Sequence, residues 1–356
     1  MDKTNNSLDL LDMIPYPAFC VQEGVITKVN PAASGYFIET GTRVQDLLLT
    51  GEEEYASFSD GRLYLNLKIS GQSMGFSVSR IDGADYFRME QGADSGELQA
   101  MALAARELRD PLASVMITAD RLFPVSGLAD DPATREQVAR INRGLFQMLR
   151  VISNMSDANR YSTDTAARQE VRNVCAVLDE VFARTEVLIQ DAGITLEYTG
   201  YPEAVYTLLD AEKLERAVFN IISNAMKFTP KGGLIRASLT RNGNRLYLRI
   251  QDNGSGIPEP VRGDIYSRYS REPGIEDGRF GIGLGMVLIR SAATLHGGTV
   301  LIDQPESTGT RITMTLQIRP GSGTQLRSPI FQVDYAGERD HGLLELSDVL
   351  PARLYE

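Results

Sequence analysis

Basic residues are scarce in this sequence: 36 Lys and Arg against 47 Asp and Glu leave a formal net charge of −11. Such a chain has little with which to neutralise a run of phosphates, which argues against a nucleic-acid groove. Cysteine is scarcer still. Cys20 and Cys175 lie far apart and make neither a disulfide framework nor a metal-binding spacing, so two free thiols are expected. The histidines are His296 and His341, and neither falls in the first 90 residues. A histidine-ligated haem is thereby excluded from that part, and no cysteine motif there suggests a flavin adduct. No stretch approaches the roughly 18 apolar residues of a membrane span. The N-terminal "MDKTNNSLDLLDMIPYP" carries acidic residues and no apolar core of signal-peptide length. A cytoplasmic protein without a membrane span is expected.

What is present is ordinary globular composition, 42% hydrophobic and 23% charged over 356 residues, enough for two or three domains. Residues 1–90 contain alternating stretches, "AFCVQEGVITKVN", "GRLYLNLKIS" and "GFSVSRIDGADYFRME", broken by Gly-Asp turn residues. They predict a small α+β domain on an antiparallel sheet. Residues 94–158 predict two helices, the first from about Ser95 to Leu122. "FPVSGLADDP" makes the turn, and Asp131-Pro132 opens the second helix. Residues 170–319 alternate helices and strands and hold half of the glycines, 16 of 32. Residues 320–356 begin as a flexible linker and end in an acidic-apolar stretch without an assignable role.

The helical pair carries its own pattern. Apolar residues recur in two interleaved sevens, Leu98, Ala105, Leu112, Ala119 and Met101, Leu108, Val115, Leu122. The second helix answers with Val138, Ile141, Leu145, Met148, Ile152 and Met155. This is the seam of a helical hairpin that a second copy would bury, giving a dimeric four-helix bundle. Within "ARELRDPLASV", Arg106 falls just outside the seam, on the solvent side, and Pro111 lies inside the helix.

Three motifs in the third region carry chemistry. In "NIISNAMKFTPKGG", Asn220, Asn224 and Lys227 fall at i, i+4 and i+7 on one helix face. Amide oxygens can ligate Mg2+ and an ammonium answers phosphate charge. In "QDNGSGIP", Asp252 ends a strand and precedes Gly254 and Gly256, where backbone can approach a planar ligand and the carboxylate can accept from a base amino group. In "GRFGIGLGMVLIRSAATLHGG", Gly281, Gly283 and Gly285 precede an apolar helix whose free N–H groups can hold phosphates. Each motif alone is an ordinary feature; their order is what counts.

Read together, the three motifs resemble the N, G1 and G2 boxes of the ATP-binding domain of sensor histidine kinases, in the superfamily shared with gyrase and mismatch-repair ATPases. "IYSRYSR" at 265–271 resembles the F box, "GTRITMTL" at 309–316 the closing strand, and "ARELRDPLASV" the H box of a HisKA-like dimerisation hairpin. Residues 8–90, with "VITKVNPAA", resemble a degenerate PAS domain. The resemblance implies an α+β multidomain chain: a PAS-like sensor, a two-helix dimerisation hairpin, and an α/β sandwich ATP-binding (Bergerat) domain at 170–319. By it, Asn224 would bind Mg2+, Lys227 would touch phosphate and Phe228 would pack on adenine. Asp252 would read the adenine amino group, with Gly254, Gly256 and Ile257 at the base. Arg268 and Arg271 would lie in or near a lid facing the γ-phosphate. Gly281, Gly283 and Gly285 would hold phosphates, and Leu284 and Thr310 belong to the same ATP-binding set. ATP and Mg2+ are the implied cofactors.

Two departures matter. Asn220 stands where hydrolytic branches of the superfamily carry a glutamate base, and an amide cannot take a proton from water, so ordinary hydrolysis should be poor. Position 106 is where the family's histidine accepts the γ-phosphate. Here it is Arg106, still followed by the acidic Glu107, and a guanidinium has no lone pair for attack on phosphorus. Asp110 replaces the threonine or asparagine that the family uses in dephosphorylating a receiver. The expected partners are a second copy or another histidine kinase in a heterodimer, and a receiver-domain response regulator. The expected function is ATP-binding two-component signalling without autophosphorylation in cis. The alternatives are phosphorylation in trans on a partner kinase, or a non-standard acceptor such as His341. A chaperone-like or gyrase-like ATPase is disfavoured by Asn220 and by the hairpin preceding the ATP domain.

Overall fold

The computed structural model describes residues 11–90, 95–122, 132–163, 169–258, 265–266, 284–305, 308–320 and 339–356. It is a mixed α+β chain, as expected. The N-terminal part folds as strands β1 (Ala18–Gln22), β2 (Val25–Val29), β3 (Arg62–Ile69), β4 (Gln72–Ile81) and β5 (Ala84–Met89), with short helices α1 (Pro31–Ser34) and α2 (Glu52–Ser57) between β2 and β3. All neighbours pair antiparallel in the order β2-β1-β5-β4-β3. The β4–β5 turn is Asp82-Gly83, with φ of 50° and 78°, the two-residue hairpin whose twist matches that of its strands. Phe19, Phe76 and Phe87 fill the core, with Phe19 and Phe87 stacked at 4.7 Å. Cys20 and Cys175 are free and buried.

Helix α3 (Ser95–Leu122) and helix α4 (Pro132–Thr163) form the predicted hairpin. The turn "FPVSGLADDP" lies almost wholly outside the described residues. The two interleaved sevens divide. Ala105, Leu112 and Ala119 are buried with Leu145, Leu149 and Ile152 of α4, whereas Leu108, Val115 and Leu122 are exposed. Ile141 and Met148 of α4 are also exposed. One row therefore closes the hairpin on itself, and Leu108, Val115 and Leu122 of the other are left as an apolar face.

The third part contributes β6 (Glu170–Asn173), α5 (Val174–Asp191), β7 (Thr195–Thr199), β8 (Tyr206–Leu209), α6 (Ala211–Phe228), β9 (Leu234–Asn242), β10 (Arg245–Asp252), α7 (Gly285–Leu295), β11 (Val300–Asp303) and β12 (Arg311–Gln317). Alternate residues of β9, β10 and β12, among them Ile235, Leu248 and Met314, join α5, α6 and α7 in one core, so the helices layer on one sheet face. The sheet does not stop there. β11 pairs antiparallel with β3 over Val300–Ile302, making one ten-stranded sheet across both parts among the described residues. Around the joint, the Tyr266 hydroxyl meets the carbonyls of Arg62 (2.7 Å) and Val300 (2.8 Å), and Arg290 lies over the Tyr64 ring.

The last residues of the chain, given no role by their sequence, are folded. Residues 321–338 lie outside the described residues, but helix α8 (His341–Glu345), capped by Asp340, and a 3-10 turn at Ala352–Tyr355 are folded. Leu346, Leu350 and Tyr355 enter the core of the third part and Leu344 that of the hairpin.

His296, at the end of α7, is buried. Its Nε2 accepts from the Asp210 N–H (3.0 Å) and its Nδ1 faces the Ala292 carbonyl (2.7 Å), the pattern of a neutral ring with its proton on Nδ1. Burial pushes its pKa down to about 4 from the usual 6.5. The unfolded chain thus takes up a proton between those values that the folded chain refuses, so stability is full above about 6.5 and falls as pH drops toward 4. The slope is about 1.4 kcal/mol per pH unit. In urea unfolding, the wild type should lose ~2 kcal/mol between pH 6.5 and 5 that a His296→Gln variant does not lose.

Candidate functional site

Helix α6 starts from Asp210, whose side chain accepts the Lys213 N–H, and runs to Phe228. Its apolar face enters the core, and this sets Asn220, Asn224 and Lys227 on one side, as the spacing predicts. Asn220 is 3% exposed, with Nδ2 donating to the Arg216 carbonyl at 2.8 Å. Asn224 is half-buried, and Lys227 has its side chain largely buried. Helix α7 begins against Asn220: a Cβ added at Gly285 would lie 3.0 Å from Asn220 Oδ1. No side chain caps α7, so its first N–H groups keep their capacity to receive an anion.

Asp252 closes β10 on the other side. It is 5% exposed, and its Oδ1 accepts from the N–H groups of Gly254 (2.9 Å) and Thr310 (3.2 Å). Burial raises its pKa, while the same two N–H groups oppose the rise. The turn after it is packed against the end of α6. The Ser255 N–H donates to the Phe228 carbonyl, and a Cβ on Gly254 would come within 2.3 Å of that oxygen. Phe228, 39% exposed, can offer its ring to a planar ligand. Gly256 has φ of +75° and Ile257 is half-buried. Ile257, Gly309 and Thr310 line a cavity of about 210 Å3 that Arg62 and Arg80 of the N-terminal sheet also line.

The structure thus gathers Asn220, Asn224, Lys227, Phe228, Asp252, Gly254, Gly256, Ile257, Leu284, Gly285 and Thr310 around the ends of α6, β10 and α7. Arg268, Arg271, Gly281 and Gly283 lie outside the described residues. The donor set fits a nucleotide bound through a divalent cation: amides and an ammonium at one end, a buried carboxylate and close backbone at the other.

On the hairpin, Arg106, Glu107 and Asp110 are all exposed. Met101, on the same helix, packs with Met155 against Leu284 and Val287 at the start of α7. Position 106 is five residues on, about 7.5 Å along the helix axis. His341 sits on the tail, its Nδ1 3.0 Å from Glu215.

Sequence reasoning missed the charges beneath the site. Arg216, one turn before Asn220, is buried and paired with Glu345 of the tail (2.9 Å) and Asp157 of α4. Arg150 of α4 bridges Glu345 (3.3 Å) and Asp348, and its Nη2 lies 3.4 Å from both Asn220 Oδ1 and Ser223 Oγ. Asp348 in turn stands 3.6 Å from Lys227 Nζ. An arginine four residues before Asn220 was the one available signal.

Residues 209–320 match the family model described as histidine kinase-, DNA gyrase B- and HSP90-like ATPase. The chain is 27% identical over 240 residues to hybrid signal transduction histidine kinase D of Dictyostelium discoideum, over 65% of this chain and 15% of that protein. It is 25% identical over 231 residues to sensor histidine kinase WalK of Bacillus subtilis, over 64% of this chain and 38% of that one. Among solved structures, full-length ShkA in complex with AMPPNP matches with a TM-score of 0.51 at 18% identity, over 63% of this chain and 47% of that chain, a likeness of fold. The chain spans less than half of each of these three. Residues 209–320 therefore carry an ATPase domain of the histidine kinase, gyrase and HSP90 kind, and the chain is similar to sensor histidine kinases over 64–65% of its length. Among the described residues, no helix is long and apolar enough to cross a membrane.

The geometry around Asp252 makes one demand that can be measured directly. Gly309 has φ of +120°, and a Cβ there would lie 2.0 Å from the Asp252 carbonyl oxygen. Gly309→Ala should therefore cost ~2 kcal/mol or more in denaturant unfolding. Gly144→Ala, in α4 with nothing within 4 Å of the new methyl, should instead gain ~0.5–1 kcal/mol.

Proposed function

We propose that this chain is a two-component signalling protein that binds Mg2+-ATP at residues 170–319 and does not phosphorylate its own position 106. The observation that carries the reading is the pairing of a retained nucleotide constellation with an exposed Arg106 on the hairpin. Asn224 would ligate Mg2+, Lys227 and the start of α7 would take the phosphates, Phe228 and Ile257 would cover the base, and Asp252 would accept from its amino group. Asn220 offers no basic group to an attacking water, so the site holds ATP rather than spending it on hydrolysis. Bound ATP favours one arrangement of hairpin and ATP domain, and a partner reads that arrangement.

The apolar face of Leu108, Val115 and Leu122 supports pairing of the hairpin with a second copy or with another histidine kinase. A strand order of β2-β1-β5-β4-β3 supports a PAS-like sensor over residues 1–90. A receiver-domain response regulator is the natural partner downstream.

Calorimetry tests the nucleotide site. Wild type should bind Mg2+-ATP, and Asn224→Ala and Asp252→Ala should each weaken binding at least ~10-fold, the cost of a lost interaction to a charged group. Equal affinity in all three sinks the assignment.

The acceptor is tested with γ-labelled ATP. Wild type should remain unlabelled, and Arg106→His should gain a weak acid-labile label, because Glu107 remains beside it while Asp110 adds charge near the incoming phosphate. Labelling of wild type to the same level points to another acceptor, such as His341. Wild type that labels a partner kinase's hairpin favours phosphorylation in trans.

A further inference from the structure

The tail has not been given a role, yet it reaches the phosphate end of the site. Asp348 lies 3.6 Å from Lys227 Nζ and also pairs with Arg150, whose guanidinium touches Asn220 and Ser223. Its position is held from the hairpin side. Arg143 donates to the carbonyls of Ser347 and Asp348, both at 2.9 Å, and Gln147 to Ser347 at 3.2 Å. Glu345, fully buried, ties the same segment to Arg150 and Arg216.

We propose that residues 339–356 are an internal occupant of the phosphate end of the nucleotide site, with the Asp348 carboxylate standing in for a phosphate on Lys227, so that tail docking and Mg2+-ATP binding compete. The inference rests on the nucleotide reading above. A carboxylate and a phosphate oxygen make the same charge-assisted contact to an ammonium, and one buried ammonium cannot be satisfied by both at full strength. Lys227 itself is poorly solvated: burial, then Arg150, lower its pKa to about 8, and Asp348 opposes the shift. It needs an anion, and the tail supplies one when phosphate is absent. Competition is reciprocal, so ATP must loosen the tail by the factor with which the tail weakens ATP. Because Arg143, Gln147 and Arg150 of α4 hold the tail, its release also removes the bridge that Glu345 and Asp348 make between the hairpin and α6. Nucleotide occupancy is in this way transmitted to the hairpin without phosphoryl transfer.

The test uses the full chain. Asp348→Asn keeps the shape and removes the charge, and should tighten Mg2+-ATP at least ~5-fold, the lower end of ordinary coupling between sites. Adenosine, followed by ligand-observed NMR, should bind wild type and variant alike, since it brings no phosphate. In wild type, saturating Mg2+-ATP should speed hydrogen exchange at the Leu344, Leu346 and Leu350 N–H groups, which bond to Asp340, Gly342 and Leu346 carbonyls in the docked tail. This last arm needs no variant to fold. Equal ATP affinity in the two chains, an equal gain for adenosine, or unchanged or slower tail exchange overturns the competition while leaving ATP binding intact. Failure of both chains to bind ATP overturns the nucleotide reading and this inference with it.

Discussion

Six buried or nearly buried charges hold the hairpin, helix α6 and the tail against one another. Arg150 and Asp157 come from the hairpin, Arg216 and Lys227 from α6, and Glu345 and Asp348 from the tail. Three cations meet three carboxylates, so the cluster is neutral as a whole and charged in every piece. Removing one member of a buried pair costs about 3–5 kcal/mol, because its partner is left without water. Native stability is about 5–15 kcal/mol, so the loss of any one segment's charges is a large fraction of the whole. Each segment therefore depends on the other two, and an anion of matching charge is the natural replacement for any carboxylate that leaves.

A second joint connects the N-terminal sheet to the ATPase domain. β11 would otherwise present an open edge, and β3 closes it. The pairing covers only Arg62 to Tyr64 on β3, whereas β3 pairs with β4 over eight positions, from Arg62 to Ile69. Side chains supplement the short ladder: Arg290 reaches Glu90, Arg245 reaches Glu54 (2.9 Å), and Asn66 donates to Thr294 at 3.0 Å. Movement of the N-terminal sheet would thus be felt at β11, which pairs with β3, and at α7, which carries Arg290 and Thr294, without passing through the hairpin.

What could be read from the sequence was whatever depends on local pattern. Alternation located β1 to β5, and the apolar sevens located α3 and α4. The i, i+4, i+7 spacing placed Asn220, Asn224 and Lys227 on one face, because a helix imposes that geometry whatever surrounds it. The same pattern could not tell which seven faces inward. Ala105, Leu112 and Ala119 turn to α4 and Leu108 and Val115 do not, a choice made by the second helix. Nor could it find the partners of Arg150 and Arg216. Arg150 has no acid three or four residues away, Glu212 at four residues before Arg216 already offers that arginine a local explanation, and Glu345 lies 195 and 129 positions away, respectively. The joint of β3 and β11 is equally non-local: a strand's sequence says that it pairs, not with which edge.

The tail and Arg106 bear on one another. In a chain that passes a phosphoryl group from ATP to its own hairpin, the ATP domain must approach the acceptor and then withdraw. A strap fixing hairpin to ATP domain through buried charges would oppose each cycle. On the proposed reading no phosphoryl group travels to position 106, and that opposition carries no penalty. Tight docking then becomes useful, because an interface whose buried pairs cannot lose one partner without a cost of about 3–5 kcal/mol can hold one arrangement until a competing anion replaces that partner. On that reading a hairpin without an acceptor and a docked tail are consistent as parts of one design, in which occupancy of the site is the message.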